Sequence, residues 1–441
     1  MFDHSNMNAR NHRYIADFRS KFIRQSEGVE PTDWNKTDTS VARLGASGNL
    51  SVNSRKTFVE KEVDRWNLLR LRELPIEFLD SDEISIGGTN LKHINSQLER
   101  EGNGVLTVIN SGGGKSAIRH NEKNSSRGAH DQTFERGTYT QKMTDAGLKI
   151  VNPNIVPKTL GRKGRQYELF DELDFLPPSL HLNDYTHEGG IHDLKQDLSE
   201  YIECRDGVER ILSKPQAGSG GDGIKFKSWR ELIEDLEEAG RQGGLNDNIL
   251  QPALPTIGDA RILAFGETPV TGEIRYGKDD SPLHNVSQYP DNASIQDIID
   301  DGGAAPLDIR SLDPAYERAA KDLHQVMVDE GIIDGESTET FLGHDFLVVD
   351  LTQDKDGKVE GFNLDKMYGD VLSERYRTED GNYLVFTETN YSPGGKIDGF
   401  NIKFPYQHSG LNLLKMADDF SRGLKPEPLQ PGDIKEDDPE A

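Results

Sequence analysis

The chain has 441 residues, enough for two or three packed units, and carries 77 Asp plus Glu against 51 Lys plus Arg, a formal net charge of −26 with 34% hydrophobic residues. So acidic a surface repels phosphate backbones and anionic lipid, which excludes nucleic acid polymers and membranes as general partners. Its single cysteine, Cys204, excludes an internal disulfide framework. No apolar run approaches the roughly 18 residues of a membrane span, and MFDHSNMNARNHRY lacks the apolar stretch of a signal peptide, so a soluble cytoplasmic protein is expected. Two causes of the acidity fit: a high-salt cytoplasm in which carboxylates keep proteins dispersed, or extensive disorder. The acids run through periodic segments as well as tails, which favours the first.

In chain order, residues 1–55 are polar and rich in Asn, Ser, Thr and Gly, with a short basic amphipathic stretch at 14–23, and read as an arm with room for one helix. Strands are expected at GVLTVIN (104–110), RILSKP (210–215), DNILQPAL (247–254), ARILAFG (260–266), FLVVDL (346–351) and YLVFTETN (383–390). SWRELIEDLEEAG (228–240) and PAYERAAKDLHQVMVDEG (314–331) open on Ser, Asp or Pro start signals and close at Gly, so they are expected as helices. KPEPLQPGDIKEDDPEA, from Lys425, has proline, acid and almost no apolar content and reads as a solvated tail. No internal repeat is visible, and the pattern is mixed α/β with strong antiparallel content.

Three motifs are set aside. NSGGGKS (110–116) ends like a P-loop, but Ile109 stands where the first glycine belongs, so a flexible loop after a strand is the better reading. HEGGIH spaces His187 and His192 five apart and carries two glycines where a zinc-binding helix needs a continuous turn, which points to a turn before a helix. DKDGKVE (354–360) has no third acid ahead of it and reads as a hairpin turn, not a calcium loop.

ILSKPQAGSGGDGIKF (211–226) has another character. A strand delivers Lys214, Pro215 stops it, and Gly218, Gly220, Gly221 and Gly223 follow around Ser219. Glycines at that density let backbone amides approach an oxyanion, and the lysine adds a point charge for phosphate; a plain glycine-rich turn fits the composition as well. Farther on, FLVVDL presents Asp350, while YLVFTETNYSPGG presents Glu388 and Asn390 two apart and so on one face of a strand. Two carboxylates and an amide oxygen are hard ligands of the kind magnesium takes when it also holds phosphate; the solvent face of an edge strand is the other reading.

The order K-P-x-x-G-x-G-G-x-G-I, Q-P, D-x-R, G-x-D-F-x-x-x-D and E-x-N-x-S-P-G resembles the ATP-grasp superfamily, and within it the branch of glutathione synthetase and the ribosomal-protein glutamate ligase. The similarity runs from about residue 152 to 423, roughly 60% of the chain. NPNIVPKTLGRKGRQYELFDELDFLPPS also resembles a family segment in which a lysine leads a helix ending in an apolar–Pro–Pro element. The resemblance implies an α+β fold, two α+β subdomains gripping ATP after a smaller α/β pre-grasp domain. The expected divisions are a polar arm (1–55), the pre-grasp domain (56–157), a subdomain with the glycine-rich lid (158–246), a subdomain with the magnesium site (247–423) and an acidic disordered tail (424–441).

It also implies residue roles. Lys163 would touch the α-phosphate and Lys214 the α- and β-phosphates, with Gly218, Ser219, Gly220, Gly221 and Gly223 in the mobile lid. Gln251 falls beside the adenine and Asp259 near the ribose. Arg261 and Arg275 match arginines flanking the transferred phosphoryl group and the activated carboxylate. Asn285 matches an asparagine that in the family precedes a glycine pair, absent here. Asp350, Glu388 and Asn390 match magnesium ligands. The implied activity is carboxylate–amine ligation: ATP with a pair of Mg2+ ions, Mn2+ being an acceptable substitute, converts an acid to an acyl phosphate that an amine then attacks. Small-molecule or peptide acids and amines are the expected partners, and a homo-oligomer is left open. Two alternatives stand beside ligation. One is a non-catalytic ATP-binding regulatory or structural protein, against which the complete ligand set argues; the other is a phosphotransferase, which needs a general base that the sequence does not single out.

Overall fold

The structure, a computed structural model, describes residues 41–44, 50–53, 76–78, 84–86, 89–100, 102, 104–110, 140–141, 143–153, 155–205, 210–216, 223–243, 248–276, 295–351, 361–391, 404–407 and 409–431. Its first unit holds β1 (Val41–Leu44), β2 (Leu50–Asn53), β3 (Ile76–Phe78), β4 (Ile84–Ile86), β5 (Thr89–Asn90), α1 (Leu91–Arg100), β6 (Thr107–Asn110) and β7 (Lys149–Val151). β1 and β2 form an antiparallel pair, and β1, β6 and β7 run parallel. The expected polar arm over 1–55 therefore needs correction, because its last third supplies two strands to a sheet. VARL and LSVN are short alternating stretches, too brief among polar neighbours to register as strands.

The second unit follows α2 (Ile155–Leu160) and α3 (Lys163–Leu169), and comprises β8 (Leu180–His181), α4 (Gly190–Ser199), β9 (Ile211–Pro215), β10 (Lys225–Lys227), α5 (Trp229–Arg241) and β11 (Asn248–Pro252). Its sheet has the order β10-β9-β11-β8 and is antiparallel throughout. α5 starts at a capping box in which Ser228 and Glu231 satisfy each other's backbone amides. Its Trp229, Leu232, Leu236 and Ala239 recur at helical spacing and bury against Leu182, Leu194, Leu198 and Leu250. HEGGIH is a turn into α4: a Cβ at Gly190 would lie 1.9 Å from the Tyr185 carbonyl oxygen, so only glycine fits. His187 is exposed, its Nε2 3.1 Å from Asp193 Oδ2 on the same turn.

The third unit comprises β12 (Thr256–Phe265), β13 (Thr268–Arg275), α6 (Ile295–Asp300), β14 (Ala304–Leu307), α7 (Pro314–Asp329), β15 (Thr338–Glu339), β16 (Phe341–Val349), α8 (Leu364–Asp370), β17 (Tyr383–Asn390) and α9 (Ser409–Ser421). Its sheet, order β14-β13-β12-β16-β17, is antiparallel. α7 begins with an Asp313 cap and Pro314 in the first turn, and lays Ala315, Tyr316, Ala319, Leu323 and Met327 on one face of that sheet. There it meets Ala260, Ile262, Phe346, Leu384 and Phe386, an apolar layer in which each large side chain contributes about 1.5–3 kcal/mol. The class is α+β, as the sequence led us to expect.

β15 pairs in parallel with β7, and α9 packs Leu413, Leu414, Met416, Ala417 and Phe420 against Ile109, Val151, Leu263 and Phe265, so the first and third units share a core. Residues 424–431 run on past α9. Leu429 is buried and donates its amide to Asn412 Oδ1 at 2.6 Å, and the Glu427 carbonyl accepts from Lys415 Nζ at 2.9 Å. The expected boundary of the tail at 424 is thus too early, since one leucine among prolines suffices to dock it. The segments 111–116 and 354–360, carrying SGGGKS and DKDGKVE, lie outside the described residues, while Asn110 ends β6. Among the described residues no helix is long and apolar enough to cross a membrane.

One residue joins the units. Asn152, at the end of β7, has φ 57°, the left-handed region that Asn tolerates better than other side chains. Its Oδ1 accepts from Phe341 N at 2.8 Å, and its Nδ2 donates to the carbonyls of Phe341 (3.0 Å) and Tyr391 (3.3 Å), at the ends of β16 and β17. Asn152→Gly keeps the backbone and loses these bonds, so it should cost about 1–3 kcal/mol in urea unfolding. Asn152→Ala should cost about 1 kcal/mol more, because alanine also resists positive φ. Equal losses would show that the backbone conformation carries no strain.

Candidate functional site

Strand register gathers charge on the sheet face opposite α7. Asp259 stands across from Arg275, Arg261 lies between Glu273 and Asp345, and Asp345 is across from Glu388. β17 reaches this arrangement through a bulge. Phe386 pairs with Phe346 and Glu388 with Asp345, so Thr387 is the extra residue. In an unbroken strand Leu384, Phe386, Glu388 and Asn390 would share one face; the bulge sends the first two into the core and turns the last two toward Asp345.

The contacts are charge-assisted and mostly buried. Arg261 grips Asp345 with both Nε and Nη2, each at 2.5 Å. Arg275 Nη2 lies 2.9 Å from Asp259 Oδ1 and 3.3 Å from Asp345 Oδ1, and its Nε is 3.8 Å from Glu273 Oε1. Asn390 Nδ2 donates to Asp345 Oδ2 at 3.0 Å and to Glu388 Oε1 at 3.1 Å. Burial pushes Asp259 up to about 7, with the Asp345 charge adding to it and Arg275 and Arg261 opposing it. Burial likewise raises Glu273. Burial works against the charge on Arg261, yet Asp345 outweighs it and holds the guanidinium above its ordinary range.

The second unit and α3 supply the facing cations. Lys163, the first residue of α3, lies with its Nζ 2.8 Å from Glu388 Oε2. Lys214, on β9, is 4% exposed; its ammonium donates to the Tyr167 hydroxyl, which in turn donates to the Thr387 carbonyl at 2.7 Å. Burial lowers Lys214 to about 7, the Lys163 charge lowers it further, and Glu388 and Asp259 oppose the shift. Gln251, also buried, donates to Ser179 Oγ at 2.7 Å on the same side. α3 packs closely on the end of β9. Lys163 N donates to the Gln216 carbonyl at 3.1 Å, and a Cβ at Gly164 would sit 3.0 Å from Gln216 Oε1.

Of the residues singled out in the sequence, Lys163, Lys214, Gln251, Asp259, Arg261, Arg275, Glu388 and Asn390 come together in this region. Gly223 has φ 80°, and a Cβ there would lie 3.2 Å from Pro215 Cγ. Gly218, Ser219, Gly220, Gly221 and Asn285 lie outside the described residues. Asp350 does not join the cluster and is corrected here. It follows the last residue of β16, where its amide bonds the Pro255 carbonyl at 3.2 Å, while Glu388 and Asn390 pair with the other half of the strand. Five residues of strand carry it roughly 17 Å from Asp345, and the odd spacing points toward the opposite face. Asp345 takes its place. Reading the strand as FLVVDL hid this, because β16 begins at Phe341 and passes through Gly343, His344 and Asp345, which interrupt the apolar run. Glu273 and Tyr167 were also missed. Glu273 had a signal in its spacing, two before Arg275; Tyr167 had none. Among the described residues no group of three or more His, Cys, Asp or Glu has metal-holding geometry. The candidate oxygen set is thus Asp345 and Glu388 with the Asn390 amide.

No protein-family model and no curated protein matches the chain. Solved structures do resemble it. One is the ATP-grasp ligase PsnB complexed with minimal precursor, at 12% identity and TM-score 0.47 over 86% of this chain and 98% of that one. A second is the VanG D-Ala:D-Ser ligase from Enterococcus faecalis, at 12% and 0.43 over 85% and 87%. A third is the macrocyclase MdnC bound with precursor peptide MdnA from Microcystis aeruginosa MRC, at 15% and 0.42 over 78% and 87%. These are low-identity similarities, and the reading of the site rests on its own geometry.

The buried lysine gives a test on the ligand-free protein. Its depressed pKa means that the folded state binds fewer protons than the unfolded chain between about pH 7 and 10.5, so the cost of burying it is full below pH 7 and fades as pH rises. Lys214→Met should therefore raise urea stability by about 2–4 kcal/mol at pH 6 and by much less at pH 10. A pH-independent effect would show that the ammonium is not desolvated there.

Proposed function

We propose that this chain is an ATP-grasp ligase that binds Mg-ATP between its second and third units, activates a carboxylic acid as an acyl phosphate and transfers the acyl group to an amine, forming an amide or peptide bond. The observation that carries the reading is the convergence of Asp345, Glu388 and Asn390 with Arg261 and Arg275 on one sheet face, met by Lys163 and Lys214 from the other side. The oxygen set fits magnesium: two carboxylates, plus an amide that presents its oxygen after a half-turn about its Cβ–Cγ bond. When bound, Mg2+ supplies charge neutralisation along the β- and γ-phosphates.

This chain's own groups do the rest. Lys163 and Lys214 attract and align the phosphates, and Gln251 lines the nucleotide's side of the cleft. Arg261 and Arg275 orient the substrate carboxylate and oppose the negative charge that gathers as its oxygen attacks the γ-phosphorus and ADP departs. The amine nitrogen then attacks the acyl carbon, phosphate leaves, and the amine's proton passes to phosphate or solvent. Lys163, Lys214, Arg261 and Arg275 are set against Asp259, Glu273, Asp345 and Glu388, so the chain's own charges there are close to balanced. A polyphosphate therefore fits better with its metal than without it. Both acid and amine are small molecules or peptide ends.

ADP and phosphate release, measured against a panel of amino acids and small peptides, should require an acid and an amine together. Glu388→Gln should lower that turnover by about 100-fold, with ATP affinity in metal-free buffer unchanged. Asp350→Asn should stay within about threefold of the parent, because Asp350 lies beyond the half of β16 that pairs with Glu388 and Asn390. A large loss in the Asp350 variant with an active Glu388 variant would reverse the assignment. A parent that binds Mg-ATP yet releases no ADP with any pair would be a non-catalytic binder.

A further inference from the structure

β17 is the last strand of its sheet, so on its outer side its backbone groups face away from any strand partner. One turn of α3 covers those of Thr387 and Thr389. The Gln166 side chain accepts from Thr389 N at 2.6 Å and donates to the Thr389 carbonyl at 3.0 Å, the pair of bonds a neighbouring strand would make with that residue. The same amide donates to the Leu160 carbonyl at 2.6 Å, at the end of α2. Gln166 is 3% exposed, so water cannot replace these bonds.

Thr389 is the residue between Glu388 and Asn390. Its side chain is held as well, by His344 Nδ1 at 2.9 Å to its hydroxyl, and Tyr167 anchors the Thr387 carbonyl on the other flank of Glu388. We propose that Gln166 is a positioning residue for the metal-binding pair: by completing the ladder at Thr389 it fixes the two peptides from which Glu388 and Asn390 project, and so sets the distance between their oxygens. The inference rests on the reading of that pair as magnesium ligands, whereas the Thr389 bonds stand independently of it. A bulged edge strand needs such a device. The bulge at Thr387 that turns Glu388 toward Asp345 also loosens the ladder with β16 just before the ligands, and Gln166 holds the strand from its outer edge just after Glu388.

The experiment has two readouts on the full chain. Amide hydrogen exchange at Thr389 reports the bond itself. In Gln166→Ala it should quicken by at least about 100-fold, while in Gln166→Glu, whose carboxylate still accepts, it should stay near the parent rate. The Mg2+ concentration that half-saturates ATP binding, measured by calorimetry, reports the consequence. It should rise about tenfold or more in Gln166→Ala, with metal-free ATP affinity unchanged, and less in Gln166→Glu. Should alanine prevent folding, the glutamate variant decides: it must keep Thr389 protected. Unchanged exchange at Thr389 in Gln166→Ala, or lost protection in Gln166→Glu, would overturn the bond, and equal magnesium shifts in the two variants would overturn the positioning role. A parent whose ATP binding ignores Mg2+ would instead overturn the ligase reading, and the exchange result would show separately whether Gln166 holds the strand.

Discussion

Taking a carboxylate out of water is costly unless cations and donors surround it, and Asp345 is surrounded by both. It is 3% exposed, gripped bidentately by Arg261, approached by Arg275 and bonded by Asn390. Three strands must hold their register for those contacts to exist, because Arg261 stands on β12, Arg275 on β13 and Asn390 on β17. A slip of one residue in any of them would turn its polar side chains into the Phe346 layer. The core and the site are thus two faces of one sheet, and neither can be altered in register without the other.

The bulge in β17 reconciles them. The sequence YLVFTETN places apolar and acidic residues at the same parity, which an unbroken strand could satisfy on only one face. Inserting Thr387 changes the phase midway, and the Thr387 hydroxyl, bonded to the Asp345 carbonyl at 2.9 Å, fills the gap that the extra residue opens. β17 lies at the sheet edge, where a bulge costs least and where α3 can approach from outside. Lys163, Gln166 and Tyr167 of α3 then meet Glu388, Thr389 and Thr387 in turn.

Six strands, two long helices and much of the candidate site were legible in the sequence, for identifiable reasons. β17 was expected at its observed bounds, and the capped amphipathic helices α5 and α7 within two residues of theirs, since periodicity and start signals are local properties. Lys214, Arg261, Arg275, Glu388 and Asn390 stood at motif spacings that the strands translate directly into shared faces. Asp345 and Asp350 could not be told apart that way. Both belong to G-x-D-F-x-x-x-D, and the choice depends on where β16 begins and how it pairs with β17, which are facts about another strand. β1 and β2 escaped notice for a related reason: four residues of weak alternation become a strand only when β6 is there to pair with them.

Charge explains why the site's stability and its chemistry pull in different directions. Burying Lys214 and Asp259 drives both toward their neutral forms near pH 7, a sign that the folded chain alone does not fully compensate them. A packed apolar cluster of the same volume would stabilise the fold more, since desolvated ion pairs seldom recover what their solvation cost. What such a cluster could not do is redistribute. Both carboxylates of the candidate metal pair are shared by more than one donor: Asp345 by Arg261, Arg275 and Asn390, Glu388 by Lys163 and Asn390. A partner can therefore leave one contact while the carboxylate keeps another. On the proposed reading, a metal cation at Asp345 and Glu388 would take the place of Lys163 and the Asn390 amide hydrogens, while Asp345 would keep Arg261 and Arg275. The Lys163 ammonium, released from Glu388, would then be available to the phosphates of the proposed nucleotide. On that reading, the ion pairs whose desolvation costs the fold stability are the same ones that would be exchanged for the contacts of a metal-nucleotide.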